Sequence, residues 1–237
     1  MLEQTERLLA HILDIFAQKF DKKAILRGGM VLRILGSPRF TNDLDYVFVP
    51  YSTKKDIVEE ILTCLSEIDN AEITHSFNSK CLRVVVATPE ATVQVEAKVA
   101  MKAKTATSST RLFSPLYQLP PRLIAVMDHE IALAHKMAAW NERRLIRDIY
   151  DIWFYLQMGI HPNEESLMER LRKPLYSKLV KREAHFKGKG PEPFYQFIRD
   201  HVSTLTDESI ANELADYLPA NQLPGLAMQL RAGFTKL

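Results

Sequence analysis

The run Leu26-Arg27-Gly28-Gly29-Met30-Val31-Leu32-Arg33, followed shortly by Arg39-Phe40-Thr41-Asn42-Asp43-Leu44-Asp45, decides how this chain reads. A short apolar stretch at 24–27 predicts a strand. Val31, Ile34 and Leu35 predict a brief helix over 30–35, which Gly36-Ser37-Pro38 stops. Two glycines between strand and helix let the backbone come close to a ligand and turn N–H groups toward an anion, because a side chain at either would block the approach. Asp43 and Asp45 stand at the start of the next predicted strand, 44–49. Residues i and i+2 of a strand share a face roughly 6.7 Å apart, which lets both carboxylates reach divalent ions spaced about 3.5 to 4 Å. Two like charges so placed are unfavourable without a cation. A tight turn or a solvated strand start would explain either feature alone; together they outline a phosphate cradle beside a metal-binding pair.

Outward from this stretch, Leu8, Leu9, Ile12, Leu13, Ile15 and Phe16 mark one face of an opening helix, and Ile57, Val58, Ile61, Leu62 and Leu65 another over 54–67. Strands are predicted at 71–77, 81–87 and 92–99. In the last, Val93, Val95, Ala97 and Val99 alternate, so Glu96 shares the opposite face with Gln94 and Lys98 and offers a third carboxylate. The order predicts an α+β fold, a mixed sheet with flanking helices. Residues 101–121 turn to Lys, Thr and Ser and close on Pro120-Pro121, the expected boundary between an α+β lobe, 1–121, and a mainly helical lobe, 122–237. In the second lobe a strand is possible at 123–127, and helices are predicted at 129–140, 145–156, 166–171, 174–184, 193–202 and 208–217.

Composition narrows the class. With 237 residues, 46% of them hydrophobic, the chain has ample core material and is not a disordered tail. Lys plus Arg at 31 against Asp plus Glu at 29 leaves +2, so any nucleic-acid surface must be local. The two cysteines, Cys64 and Cys81, lack CxxC spacing, and Glu3 and Glu6 do not suit a secretory signal; the expectation is a cytoplasmic protein with no membrane span.

A second block follows: Glu130-Ile-Ala-Leu-Ala-His-Lys136, then Arg143 and Arg147-Asp148-Ile149-Tyr150-Asp151. On the helix 145–156, Leu145, Ile149, Ile152, Trp153 and Leu156 form an apolar stripe with Asp148 at its edge, an expected half-buried position. Arg144 and Arg147 stand four residues before Asp148 and Asp151, a spacing at which they can pair. Lys136 lies in an alanine-rich helix that permits close approach. Two neighbouring aspartates after a GG turn with a third acid on a later strand resemble the polymerase-β-like nucleotidyltransferases. The segment GGMVLRILGSPRFTNDLDY is similar to the GG-x-x-L-R … R-[FS]-[ST]-x-D-[LI]-D signature of the AbiEii/AbiGii-type toxin nucleotidyltransferases. The second block resembles that family's E-x-L-x-A-x-K-x-x-A … R-x-x-x-R-D-x-x-D motif. Both occur in the family's order, over roughly 24–156. Met30 departs from the Thr or Ser that often follows the glycines, and Thr41 stands where Ser is frequent.

The resemblance implies transfer of a nucleoside monophosphate from an NTP to an acceptor hydroxyl. Asp43, Asp45 and Glu96 would serve as Mg²⁺ ligands or, for Glu96, as base; Gly28 and Gly29 would lie against the phosphates. It implies that Lys136 contacts the nucleotide phosphates, that Asp148 belongs to the active site, and that the helical lobe closes the nucleotide cleft. It also implies tRNA as acceptor and a cognate antitoxin as partner. Between 170 and 190, Arg170, Arg172, Lys173, Lys178, Lys181, Arg182, Lys187 and Lys189 face only Glu183, a local basic patch suited to an RNA backbone; Arg172, Lys173, Lys178, Lys181 and Arg182 are the candidate RNA contacts. Two rivals remain open: transfer to a protein or small molecule on the same fold, and a non-catalytic nucleotide- or partner-binding module.

Overall fold

The computed structural model describes residues 2–174, 186 and 190–237. They fall into two compact units, Met1–Asp128 and His129–Leu237.

The first unit opens with α1 (Leu2–Phe20), whose apolar side chains recur at helical spacing, and runs through β1 (Ala24–Arg27), α2 (Gly29–Ile34), β2 (Asp43–Phe48) and α3 (Lys55–Leu65). Then come β3 (Glu72–Phe77), β4 (Leu82–Ala87), β5 (Thr92–Val99), β6 (Thr105–Ser109) and β7 (Leu123–Met127). The strands form one mixed sheet in the order β3-β4-β5-β2-β1-β7-β6. β2 runs parallel to β5 and antiparallel to β1, and β1 is parallel to β7. The Lys-, Thr- and Ser-rich segment before Pro120-Pro121 supplies the edge strand β6, which pairs with β7. That pairing carries the unit past Pro120-Pro121 to Asp128, where the sequence reading drew the boundary at 121.

Strand alternation sorts the two faces of this sheet. Leu44, Tyr46 and Phe48 of β2, Val84 and Val86 of β4, and Val93, Val95 and Ala97 of β5 are buried in one core with Leu9, Ile12 and Phe16 of α1 and Ile57, Ile61 and Leu65 of α3. The residues between them therefore face the other way. Asp43, Asp45, Gln94, Glu96 and Lys98 are accordingly half-buried on the face that α1 and α3 leave uncovered.

The second unit is helical: α4 (His129–Arg143), α5 (Ile146–Gln157), α6 (Glu164–Arg172), α7 (Pro191–Ser203), α8 (Asp207–Leu214) and α9 (Leu226–Phe234). α9 was not marked individually, although Leu226, Ala227, Leu230 and Phe234 bury one helical face. The helix read at 174–184 lies, past Pro174, outside the described residues. Trp140 of α4 is fully buried and packs against Phe194 and Phe197 of α7. Among the described residues, no helix is long and apolar enough to cross a membrane.

Candidate active site

The glycine turn joins β1 to α2. Gly28 stands at φ +78°, ψ −156°, a region essentially reserved to glycine, and a Cβ there would overlap Oδ2 of Asp45. A Cβ on Gly29 would come within 2.7 Å of Arg39 Nη2 and 3.1 Å of Thr41 Oγ1. The two glycines are thus what allows the turn to lie directly against the acidic strand. Behind the turn, Arg33 of α2 donates through Nε and Nη2 to the buried Glu6 carboxylate at 2.6 and 3.1 Å, and Tyr117 donates to the same group. This ties α2 to α1. Burial together with Glu6 pushes the Tyr117 phenol well above its usual range, so it stays a donor.

Asp43 and Asp45 share a face of β2, as the spacing required. Thr41 Oγ1 donates to Asp43 Oδ1 at 2.7 Å, and buried Arg39 holds the loop before them by donating from Nη1 to the Phe40 carbonyl at 3.0 Å. The sheet register sets Arg27 opposite Asp45, Asp45 opposite Glu96, and Glu96 opposite Arg83. A row of charges, plus, minus, minus, plus, therefore crosses β1, β2, β5 and β4. Directly opposed like charges are destabilising, and the flanking arginines offset the pair at its centre. The Glu96 carboxylate accepts from Arg83 at 2.9 Å and from Gln94 at 3.1 Å.

Among the described residues no three His, Cys, Asp or Glu side chains gather as a ready metal cage. Asp43 and Asp45 nevertheless suit a hard divalent cation: they are oxygen ligands on one face, with backbone close by that no side chain obstructs. Mg²⁺ is commonly held by one or two carboxylates completed by water and substrate phosphates rather than by an all-protein cage. Glu96 lies next to Asp45 along the sheet, with its carboxylate turned to Arg83 and Gln94.

In the helical unit Lys136, Asp148 and Asp151 come together. Lys136 Nζ lies 2.8 Å from Asp151 Oδ2 and 3.6 Å from Asp148 Oδ1, and Arg143 grips Asp148 through two nitrogens at 2.6 to 3.1 Å. Asp148 is 1% exposed and Asp151 0%, so the half-buried position expected for Asp148 is corrected to full burial. The partner of Asp148 also differs from the expected Arg144. Arg144 stands at φ +59° between α4 and α5, so four-residue helical spacing does not run from it into α5. Its guanidinium lies over the rings of Trp140 and Phe197, 4.4 and 4.6 Å away, and burial lowers its pKa to about 10. Arg147 lies over Tyr217 rather than on Asp151.

Of the basic patch, Arg172 and Lys173 are exposed at the end of α6, whereas Lys178, Lys181 and Arg182 lie outside the described residues. Arg170 leaves the patch, because its guanidinium turns inward to buried Glu142 at 3.0 Å.

A glycine turn abutting paired aspartates can now be set beside known proteins. The family model for the nucleotidyl transferase AbiEii toxin, type IV TA system, matches residues 7–224. The chain belongs to the AbiEii nucleotidyltransferase toxin family. It is therefore a nucleotidyltransferase. Its fold is similar to that of JHP933 from Helicobacter pylori, at 16% identity and a TM-score of 0.56, over 99% of this chain and 90% of that one. It is also similar to MenT4, a nucleotidyltransferase toxin from Mycobacterium tuberculosis H37Rv, at 14% identity and a TM-score of 0.60, over 99% and 83%. No curated protein matches the sequence.

Within this AbiEii-family chain, several site residues had no legible role in the sequence. Thr41 and Arg39 belong to the signature, yet only the structure shows one holding Asp43 and the other packed beneath Gly29. Arg83 reaches Glu96 from a neighbouring strand, which no local spacing reveals. Arg143 and Asp151 stand in the second motif, but their contacts depend on the break at Arg144.

Proposed function

We propose that this chain transfers a nucleoside monophosphate from an NTP to the hydroxyl of an RNA acceptor, tRNA by family resemblance, with Mg²⁺ held by Asp43 and Asp45. The acceptor oxygen forms a bond to the α-phosphorus, the bond from that phosphorus to the bridging β-phosphate oxygen breaks, and pyrophosphate leaves. The hydroxyl proton passes to a carboxylate or to solvent. Divalent metal, when bound, would supply charge neutralisation on the triphosphate and activation of the attacking hydroxyl.

The observation that carries the reading is the close approach of Gly28 to Asp45, where a Cβ would overlap the carboxylate, which brings an unobstructed main-chain turn and metal-ligating oxygens to one spot. Thr41 fixes the Asp43 carboxylate from below, which lowers the reorganisation needed when the ligand arrives. Glu96 is the third carboxylate of the same face. Lys136 takes the part its motif implies, balancing charge on the triphosphate, and Asp148 belongs to that second motif. Exposed Arg172 and Lys173, with Lys178, Lys181 and Arg182, contact the RNA backbone. The biological setting is that of a cytoplasmic toxin countered by a cognate antitoxin.

The test incubates purified protein with total tRNA, Mg²⁺ and each of four α-³²P-labelled NTPs, beside the Asp43→Ala/Asp45→Ala variant. Label on RNA from the wild type alone establishes reaction, acceptor class and preferred base. Label appearing on added protein or small molecules and not on RNA would replace the acceptor. Mg²⁺-independent NTP binding that survives Asp45→Ala would favour a non-catalytic module.

A further inference from the structure

We propose that Lys98 and Arg27, flanking the paired acids, bind the β- and γ-phosphates of the nucleotide and then the pyrophosphate leaving group, on the acidic face of the sheet. The inference rests on the nucleotidyl-transfer reading and names residues outside both family motifs for one part of it.

The register places the two cations on either side of the paired acids. Arg27 is the cross-strand neighbour of Asp45 on β1, and Lys98 follows Glu96 by two residues on β5, so both project from the face that carries Asp43, Asp45 and Glu96. Both are half-buried. Arg83 already answers Glu96 with a 2.9 Å hydrogen bond. Two half-buried cations on the face of the metal-ligating carboxylates set fixed positive charge where a metal-bound anion would lie.

The charges of the face point to which anion. Asp43 and Asp45 suit a divalent cation, and Glu96 is met by Arg83. An ionised triphosphate brings more negative charge than one divalent ion offsets, so further fixed cations are needed. Lys136 is the cation the family motif offers, yet it is held at 2.8 Å by Asp151 with Asp148 close behind. Lys98 carries its charge on the same face as the aspartates and, among the described residues, has no such partner in hydrogen-bond contact. A lysine is also a suitable choice, since its mobile point charge can follow the phosphates from substrate to leaving group.

Isothermal titration of wild type, Lys98→Met and Lys98→Arg with Mg²⁺·pyrophosphate, a non-hydrolysable Mg²⁺·NTP analogue and a nucleoside monophosphate tests the assignment, alongside the melting temperature of each protein without ligand. The expected result is at least tenfold weaker binding of pyrophosphate and NTP analogue by Lys98→Met. Monophosphate binding should be unchanged, and Lys98→Arg should restore most of the loss. Wild-type pyrophosphate binding by Lys98→Met would overturn the proposal, and a lowered melting temperature beside it would make Lys98 a counter-ion of the acids. Wild type that binds no Mg²⁺·NTP analogue would overturn the nucleotidyl-transfer reading itself, and this assignment with it.

Discussion

At Gly28 one missing methyl group decides whether the site exists. The φ of +78° is strained for any L-residue, by about 1–3 kcal/mol in this region, and a Cβ would also overlap the Asp45 carboxylate. Gly28→Ala should therefore lower the melting temperature and abolish most Mg²⁺-dependent NTP binding, by more than tenfold, as read by titration. Retained binding would mean that the turn does not meet the phosphates. Thr41 acts more gently, through one 2.7 Å hydrogen bond to Asp43. Thr41→Val keeps the volume and removes the donor, so kcat should fall severalfold to tenfold with little change in thermal stability, and Thr41→Ser should recover it. The glycine pair and the aspartates were legible because spacing alone fixes what they can do: a permissive turn, and two oxygens on one strand face. Arg83 and the Thr41 contact were not, because each depends on a distance through space that no local periodicity encodes.

The helix pair α4 and α5 shows where element-level reading stops. The apolar stripe of α5 follows from 100° per residue, yet Asp148 and Asp151 are both buried, because Lys136 and Arg143 reach them from α4. Charges taken out of water in this way stabilise only as a complete set, and removing one member leaves the others unpaired at a cost of about 3–5 kcal/mol. Asp151→Ala should accordingly lower the unfolding free energy by an amount of that order in urea, with loss of the helical unit's near-ultraviolet signal. A loss under 1 kcal/mol would show the cluster to be loosely held. His201 of α7 gives a second test at this scale. Its ring lies 5.1 Å from that of Trp140, and burial first, then Arg144, hold its pKa below the ordinary 6.5. The folded state thus favours neutral imidazole, and the unfolded chain binds the proton more readily. That contribution to stability is intact above pH 6.5 and is lost as the pH falls through the folded-state value. Compared with wild type, His201→Gln should flatten the decline in unfolding free energy between about pH 7 and pH 5; parallel curves for the two proteins would rule out His201 as its source.

Across the whole molecule, the succession of helices and strands was legible apart from β6 and α9, and the sheet order β3-β4-β5-β2-β1-β7-β6 was not. The pairing of β1 with β7 joins Leu26 to Val126, so it rests on tertiary packing rather than on any neighbouring residue. Strand β7, held between β1 and β6, extends the first unit to Asp128, past a Pro-Pro pair that marks a turn but not the end of the sheet. Charge distribution belongs to this scale too. With a net charge of only +2, the proposed RNA contact rests on the local basic residues Arg172, Lys173, Lys178, Lys181 and Arg182, without Arg170, which turns to Glu142. Neutralising those residues to Gln should weaken tRNA binding uniformly across sequences while leaving Mg²⁺·NTP affinity intact, since the NTP assignments lie elsewhere in the chain. The salt dependence supplies the sharper measurement. Each lost phosphate contact removes about 0.7 from the slope of log K against log salt on a single strand and about 0.9 on a duplex. A variant that binds tRNA less tightly with an unchanged slope has lost shape rather than phosphate contacts, which would move the RNA surface away from this patch. A slope that falls in step with the number of charges removed would fix the patch as the track along which the acceptor is held.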